Sequence, residues 1–122
     1  MATVAAESGV VIPMIVAATT GGGTIIACPA SFQHHNFEIV TPTGVTAGAV
    51  TIETANDPAY AGTWAVVIPL GSVSNPLTVV AAASLLMNYT GLLNFVRARI
   101  NTTISGGGGP SVTVNYYGSK SY

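Results

Sequence analysis

The strongest constraint on what this chain can become lies between Leu92 and Gly118, LLNFVRARINTTISGGGGPSVTVNYYG. Val96, Ala98 and Ile100 alternate with Phe95, Arg97 and Arg99; beyond the glycines, Val112, Val114 and Tyr116 alternate with Ser111, Thr113 and Asn115. A period of two puts each apolar trio on one face of a strand and turns that face to a core. The stretch therefore predicts a strand, a glycine-rich reversal and a returning strand that closes the chain as a hairpin. It also places two of the three basic residues, Arg97 and Arg99, on the opposite face of the first strand.

The rest of the chain repeats this pattern in shorter pieces between Gly, Pro and Asn turns. Val10 to Ala18 is β-rich, but Pro13 has no amide hydrogen and fits best on an edge strand or at a bulge. Thr24 to Cys28 reads as a short strand, and HNFEIV centres another in which Phe37 and Ile39 alternate with Asn36, Glu38 and Val40. Val50 and Ile52 oppose Thr51 and Glu53, the pattern of a half-buried antiparallel strand. Its expected partner begins at Trp64, with Trp64, Val66 and Ile68 on one face. Leu77 to Asn88 is apolar almost throughout, so its period does not decide between two short strands and a strand with a turn of helix.

Seven or eight short strands at this spacing predict an all-β protein, a single antiparallel β-sandwich of jelly-roll-like form. It would occupy residues 10–122, behind an extended amino-terminal arm at residues 1–9. The expected core is Phe37, Ile39, Val50, Ile52, Trp64, Val66, Val96, Ala98, Ile100, Val112 and Val114.

Composition narrows the function. Of 122 residues, 49% are hydrophobic and only 6% charged, with three Lys or Arg against four Asp or Glu. Soluble domains average roughly 25% charged residues, so a surface this bare is poorly protected against self-association. We expect much of it to be covered in the working state. Three cations do not make a basic footprint, which argues against direct nucleic-acid binding. No apolar run reaches about 18 uninterrupted residues, and the first residues lack the basic segment of a signal peptide, so neither a membrane span nor secretion is expected. A single cysteine, Cys28, rules out a disulfide within the chain and reads as a buried small hydrophobe.

No group of residues reads as an active site. His34 and His35 are adjacent and on a strand point to opposite faces, so they do not chelate one metal together. Glu38, Glu53 and Asp57 are the acids available for paired-carboxylate chemistry, with no third group to assist them. There is no G-x-S-x-G elbow, and GGGGPS lacks the lysine and helix of a phosphate loop. The sequence thus predicts no catalytic residue, no metal ligand set and no cofactor. Arg97 and Arg99 have two readings: a cross-sheet pair with Glu53 or Glu38, or contacts to a neighbouring subunit. Tyr60 and Trp64 are candidates for stacking on a sugar, within a wider aromatic set of Tyr89, Tyr116, Tyr117 and Tyr122.

The runs GVTAGAVTIETANDPAYAGTWAVV and FVRARINTTISGGGGPSVTVNYYG together resemble the small β-sandwich structural proteins of tailed bacteriophages, of the head-decoration and head-fibre-like kind. The shared pieces are a G-x-x-x-G-x-V-T-I-E strand, an Asp-containing loop, a Trp strand and a V-R-A-R-I strand joined by glycines to V-T-V. They cover about half of the chain. The resemblance implies a non-enzymatic virion component on the capsid surface, assembled in the bacterial cytoplasm. Its partners would be further copies of itself, as a homotrimer or other small oligomer, and the major capsid protein or another virion protein. Val11, Ile12, Pro13 and Ile15 would then be candidates for strand exchange or for ordering against the shell, with Arg97, Arg99 and Tyr117 as further interface candidates. The loop after Glu53 and the first 30 residues depart from that pattern, so head, neck and tail positions all stay open. A carbohydrate-binding sandwich that holds the host surface is the alternative.

Overall fold

The computed structural model describes residues 3–71, 74–79 and 83–120. Among these there is no helix, and eleven strands form two sheets that pack as a β-sandwich. The strands are β1 (Thr3–Ala5), β2 (Val11–Ala18), β3 (Gly21–Gly22), β4 (Ile25–Ala27), β5 (His34–Val40), β6 (Val45–Ala55), β7 (Ala65–Val66), β8 (Leu77–Thr78), β9 (Ser84–Thr90), β10 (Phe95–Gly106) and β11 (Val112–Ser119). The larger sheet has the order β1-β4-β10-β6-β7, with β3 also on β10 and β8 also on β6; the smaller has the order β2-β11-β5-β9. All pairings are antiparallel except that of β1 with β4.

The β-sandwich is as expected, with more strands than the alternation alone marks out: five are only two or three residues long, whereas β6 and β10 run 11 and 12 residues. Leu77 to Asn88 resolves as two strands, β8 and β9, while residues 80–82 lie outside the described residues. The amino-terminal arm is held down: Thr3–Ala5 runs parallel to Ile25–Ala27, and the Ala6 amide continues the ladder to the Ala27 carbonyl at 2.9 Å.

The closing hairpin is not a hairpin. β10 pairs with β6, β4 and β3 in the larger sheet, whereas β11 lies between β2 and β5 in the smaller one. The glycine run is an arch that carries the chain across the core, so Val96, Ala98 and Ile100 face Val112, Val114 and Tyr116 from opposite sheets. Five residues between Gly106 and Val112 suffice for the roughly 10 Å separation of packed sheets. The β5–β6 connection crosses beside it. There the Gly107 amide donates to the Gly44 carbonyl at 3.1 Å, and a Cβ on Gly106 would collide with that same carbonyl oxygen. Gly44 and Gly106 both have positive φ, at 92° and 144°, so these two glycines are required by conformation and by contact alike.

This alternation between sheets recurs along the chain, from β2 to β4, β5, β6, β9, β10 and β11 in turn. Sheet neighbours are consequently strands distant in sequence. Between the layers sit Met14, Ile15, Ile26, Phe37, Ile39, Val50, Ile52, Met87, Val96, Ala98, Ile100, Ile104, Val112, Val114 and Tyr116, all buried.

Two expected core members do not belong to that layer. Val66 is exposed, because its strand lasts only two residues and the chain then turns Val67 inward, the Val67 amide donating to the Ile52 carbonyl at 3.1 Å. Ile68 is accordingly exposed as well. Trp64 is buried, but on the outer face of the larger sheet.

β2 is the expected edge strand. Its ladder with β11 slips between Ile15 and Pro13, leaving Met14 as the extra residue of a bulge whose carbonyl accepts from the Thr24 amide at 2.9 Å. Ala17 has φ of 46°, and with Pro13 this breaks the regular row of edge donors.

Candidate functional site

Three clusters of polar residues stand out. The first lies on the outer face of the larger sheet. Glu53 is directly opposite Arg97 in the β6–β10 register and diagonal to Arg99. Its Oε1 accepts from Arg97 Nε at 3.0 Å, and its Oε2 accepts from Arg99 Nε and Nη2 at 3.1 Å. Glu53 is only 3% exposed, and a carboxylate is buried here because two guanidiniums neutralise it.

The loop of residues 56–64 covers this cluster. Asp57 Oδ1 accepts from the Ala59 amide, a local Asx turn, and the Tyr60 carbonyl then accepts from Trp64 Nε1 at 3.0 Å. The indole is thereby laid over Arg97, whose guanidinium carbon is 4.1 Å from the ring centroid. Of the two readings of the arginines, the cross-sheet pair with Glu53 is the one seen. Glu38 lies in the other sheet and accepts instead from Asn115 Nδ2 at 3.2 Å.

The second cluster is inside the sandwich. His35 points inward, as expected for a neighbour of outward-facing His34. His35 Nδ1 is 2.7 Å from the Tyr116 hydroxyl, and Nε2 is 3.0 Å from the Gly91 carbonyl. Since a carbonyl only accepts, Nε2 carries the proton and Nδ1 accepts from the hydroxyl; the Cys28 thiol, 3.5 Å away, donates to that same hydroxyl oxygen. The order Cys28 to Tyr116 to His35 to Gly91 satisfies each group with a neutral imidazole.

Burial pushes the His35 value down from 6.5, opposed by the bond to Gly91, and pushes the Cys28 thiol and the Tyr116 phenol up. The neutral forms are all favoured, which suits a structural chain and not a nucleophile. Among the described residues no group of three or more His, Cys, Asp or Glu is placed to hold a metal ion.

The third cluster is the outer face of the smaller sheet. The strand period turns His34, Asn36 and Glu38 of β5, Asn88 and Thr90 of β9, and Asn115, Tyr117 and Ser119 of β11 to solvent. Register then lines them up across the strands: Val11, Tyr117, Asn36 and Asn88 make one row, and Pro13, Asn115, Glu38 and Leu86 the next.

Two open depressions meet on this face. One of about 360 Å³ is bounded by His34, Asn36, Leu70, Asn88, Thr90 and Tyr117; a smaller one of about 160 Å³ reaches Val11, Glu38 and Asn115. Asn36 and Tyr117 line both. Leu70 closes one end, its amide donating to the Asn88 carbonyl at 2.8 Å.

The structure thus sorts the candidate residues. Val11, Pro13 and Tyr117 come together on the outer face of the smaller sheet. Ile12 is partly buried against the core and Ile15 is buried in it, because the inward side of β2 packs under the sandwich. Arg97 and Arg99 are on the far side of the molecule. The two aromatic candidates Tyr60 and Trp64 do come together, beside a depression of about 310 Å³ that Asn56, Asp57 and Thr63 also line; Tyr60 is 52% exposed there, whereas Trp64 is 1% exposed with Arg97 against its ring and offers a sugar little surface. Tyr116 is buried, and Tyr122 lies outside the described residues. The asparagines Asn36, Asn88 and Asn115 carried no sequence signal beyond outward strand positions, since only the register of three distant strands assembles them.

No protein-family model matches the chain, and no curated protein or solved structure matches it.

Proposed function

We propose that the protein is a non-enzymatic structural component of a tailed-phage virion, a decoration or cement protein held on the head shell as a small oligomer. One observation supports this reading beside the sequence resemblance: three of its few charged side chains are paired with one another, which leaves the exterior with little charge to keep it apart from others. Both arginines close on Glu53, leaving Glu7, Glu38, Asp57 and Lys120 as the remaining Asp, Glu, Lys and Arg residues of the chain. Over the same exterior Val11, Val16, Val66, Ile68, Leu70, Leu86 and Leu92 are exposed. A surface of that kind favours packing against neighbours over dispersal as a monomer.

Light scattering at micromolar concentration, followed by sedimentation with phage heads that lack the protein, tests the reading. The expected result is a stable oligomer that co-sediments with the heads. A monomer that stays in the supernatant would sink it. The alternative, a carbohydrate-binding module for host attachment, draws support from the open depressions on the smaller sheet, more polar in their lining than the one beside Tyr60 and Trp64.

A further inference from the structure

We propose that the trough across the smaller sheet is a binding site for a neutral oligosaccharide, centred on Tyr117 with Asn36 and Asn88 beside it. The inference takes its ligand class from the carbohydrate-binding alternative and does not depend on the assembly reading.

Shape comes first. The row Val11, Tyr117, Asn36, Asn88 crosses four strands and so spans about 14 Å, at roughly 4.8 Å per strand. The depressions on either side of Tyr117 make an elongated trough that suits a short linear chain better than a single small molecule.

The lining gives the chemistry. Tyr117 is 43% exposed and lines both depressions, so it supplies aromatic surface at their junction that can complement the C–H face of a pyranose; Tyr89 adds a second ring to the lining of the larger one. Asn36 Nδ2 donates to Asn88 Oδ1 at 2.7 Å, which fixes both amides and leaves the Asn36 carbonyl oxygen and the Asn88 amino group to serve a ligand. An acceptor beside a donor is the pattern that vicinal hydroxyls match, and amides already held in place lose little entropy on binding. On the other side of Tyr117, Glu38 and Asn115 are held to each other at 3.2 Å in the same manner.

Charge selects among sugars. Among the described residues no Lys or Arg lines either depression, and Glu38 is the carboxylate on its rim. An anionic glycan would meet that carboxylate without a cation to offset it, so the ligand is an uncharged chain.

The test uses the full-length protein titrated with cellotetraose, maltotetraose and a tetramer of N-acetylglucosamine, and with tetragalacturonate as the anionic control. Binding is followed by calorimetry and by amide chemical shifts. The expected result is saturable binding of a neutral tetramer, none of tetragalacturonate, and shift changes clustered at Asn36, Asn88 and Tyr117. Tyr117→Ala and Asn36→Ala should each weaken Kd by about tenfold or more while the melting temperature holds, and Tyr60→Ala should leave Kd unchanged. Binding that survives both trough variants but is lost in Tyr60→Ala overturns the site and keeps the carbohydrate reading. Failure of every neutral tetramer to bind at millimolar concentration overturns both. A Tyr117→Ala variant that turns an oligomer into a monomer, with no sugar bound by either form, identifies the trough as a subunit contact and overturns the site as well.

Discussion

Arg97 lies between Trp64 and Glu53: its guanidinium carbon is 4.1 Å from the centre of the indole, and its Nε is 3.0 Å from the carboxylate. One side chain thereby ties the loop of residues 56–64 to the outer face of the larger sheet. The indole caps the Arg97 side of the buried Glu53 carboxylate, while Arg99, 44% exposed, closes it on the solvent side.

The two arginines should differ when removed. Arg97 is under the indole and partly buried, and Arg97→Ala takes away both the cap on Trp64 and one partner of a buried acid, a loss of about 3 kcal/mol. Arg99 is 44% exposed and screened by solvent, so Arg99→Ala should cost about 1 kcal/mol or less. Urea unfolding followed by circular dichroism measures both, and equal losses would show that the indole contact adds nothing.

Asn75 fills a gap in a sheet. On the outer edge of β6, β7 pairs with Glu53 and Thr54 and β8 with Ala49 and Val50, leaving Ile52 between them. The Asn75 carboxamide occupies that place, accepting from the Ile52 amide at 3.0 Å and donating to the Ile52 and Val67 carbonyls at 2.9 and 2.6 Å. Asn75→Ala should destabilise the protein by about 2 kcal/mol, since the Ile52 amide and the Val67 carbonyl lose this partner in a half-buried place, while the Ile52 carbonyl keeps the Val67 amide. Hydrogen exchange should locate the loss, with the Ile52 amide exchanging faster than the Val50 amide.

Stability should fall in mild acid through His35. Its folded value is pushed below 6.5, chiefly by burial, so below that pH the unfolded chain binds the proton more readily than the folded one. The contribution is complete above about pH 6.5 and is lost progressively as pH drops from there toward the lowered folded value. Urea midpoints should hold from pH 8 to 7 and decline toward pH 5. His35→Phe should flatten that part of the profile, and an unchanged slope in the variant would assign the effect to other groups.

Cys28 should be chemically quiet in the folded protein. Its thiol is buried, donates to Tyr116 and is pushed up from the ordinary cysteine value by burial. Iodoacetamide at pH 8 should label it only after denaturant is added. Fast labelling without denaturant would mean that the strand end at Ala27 opens readily.

Ile68 is 81% exposed, a large aliphatic side chain in water on the segment after β7. Ile68→Ser should leave the melting temperature within about 2 °C, as surface changes usually do. If the exposed strip of Val66, Ile68 and Leu70 is an assembly contact, the same variant should lower the mass seen by light scattering. An unaltered oligomer would place the contact elsewhere.

What the sequence alone determined was which side of each long strand faces inward. The alternations at Phe37 and Ile39, Val50 and Ile52, Val96 to Ile100, and Val112 to Tyr116 each name core residues, because side-chain direction in a strand follows from backbone geometry within a few residues. Pro13 likewise marked the edge strand through its missing amide hydrogen. Tertiary structure alone decided which sheet each strand joins. A hairpin and an arch bury the same alternating residues, so Val96 and Val112 look alike whether their strands lie side by side or face to face; the choice rests on pairings such as β10 with β6, far apart in the chain. Tertiary structure also decided the fate of the outer faces, since neither the cover that Trp64 gives Arg97 nor the row formed by Tyr117, Asn36 and Asn88 exists until distant strands are in register.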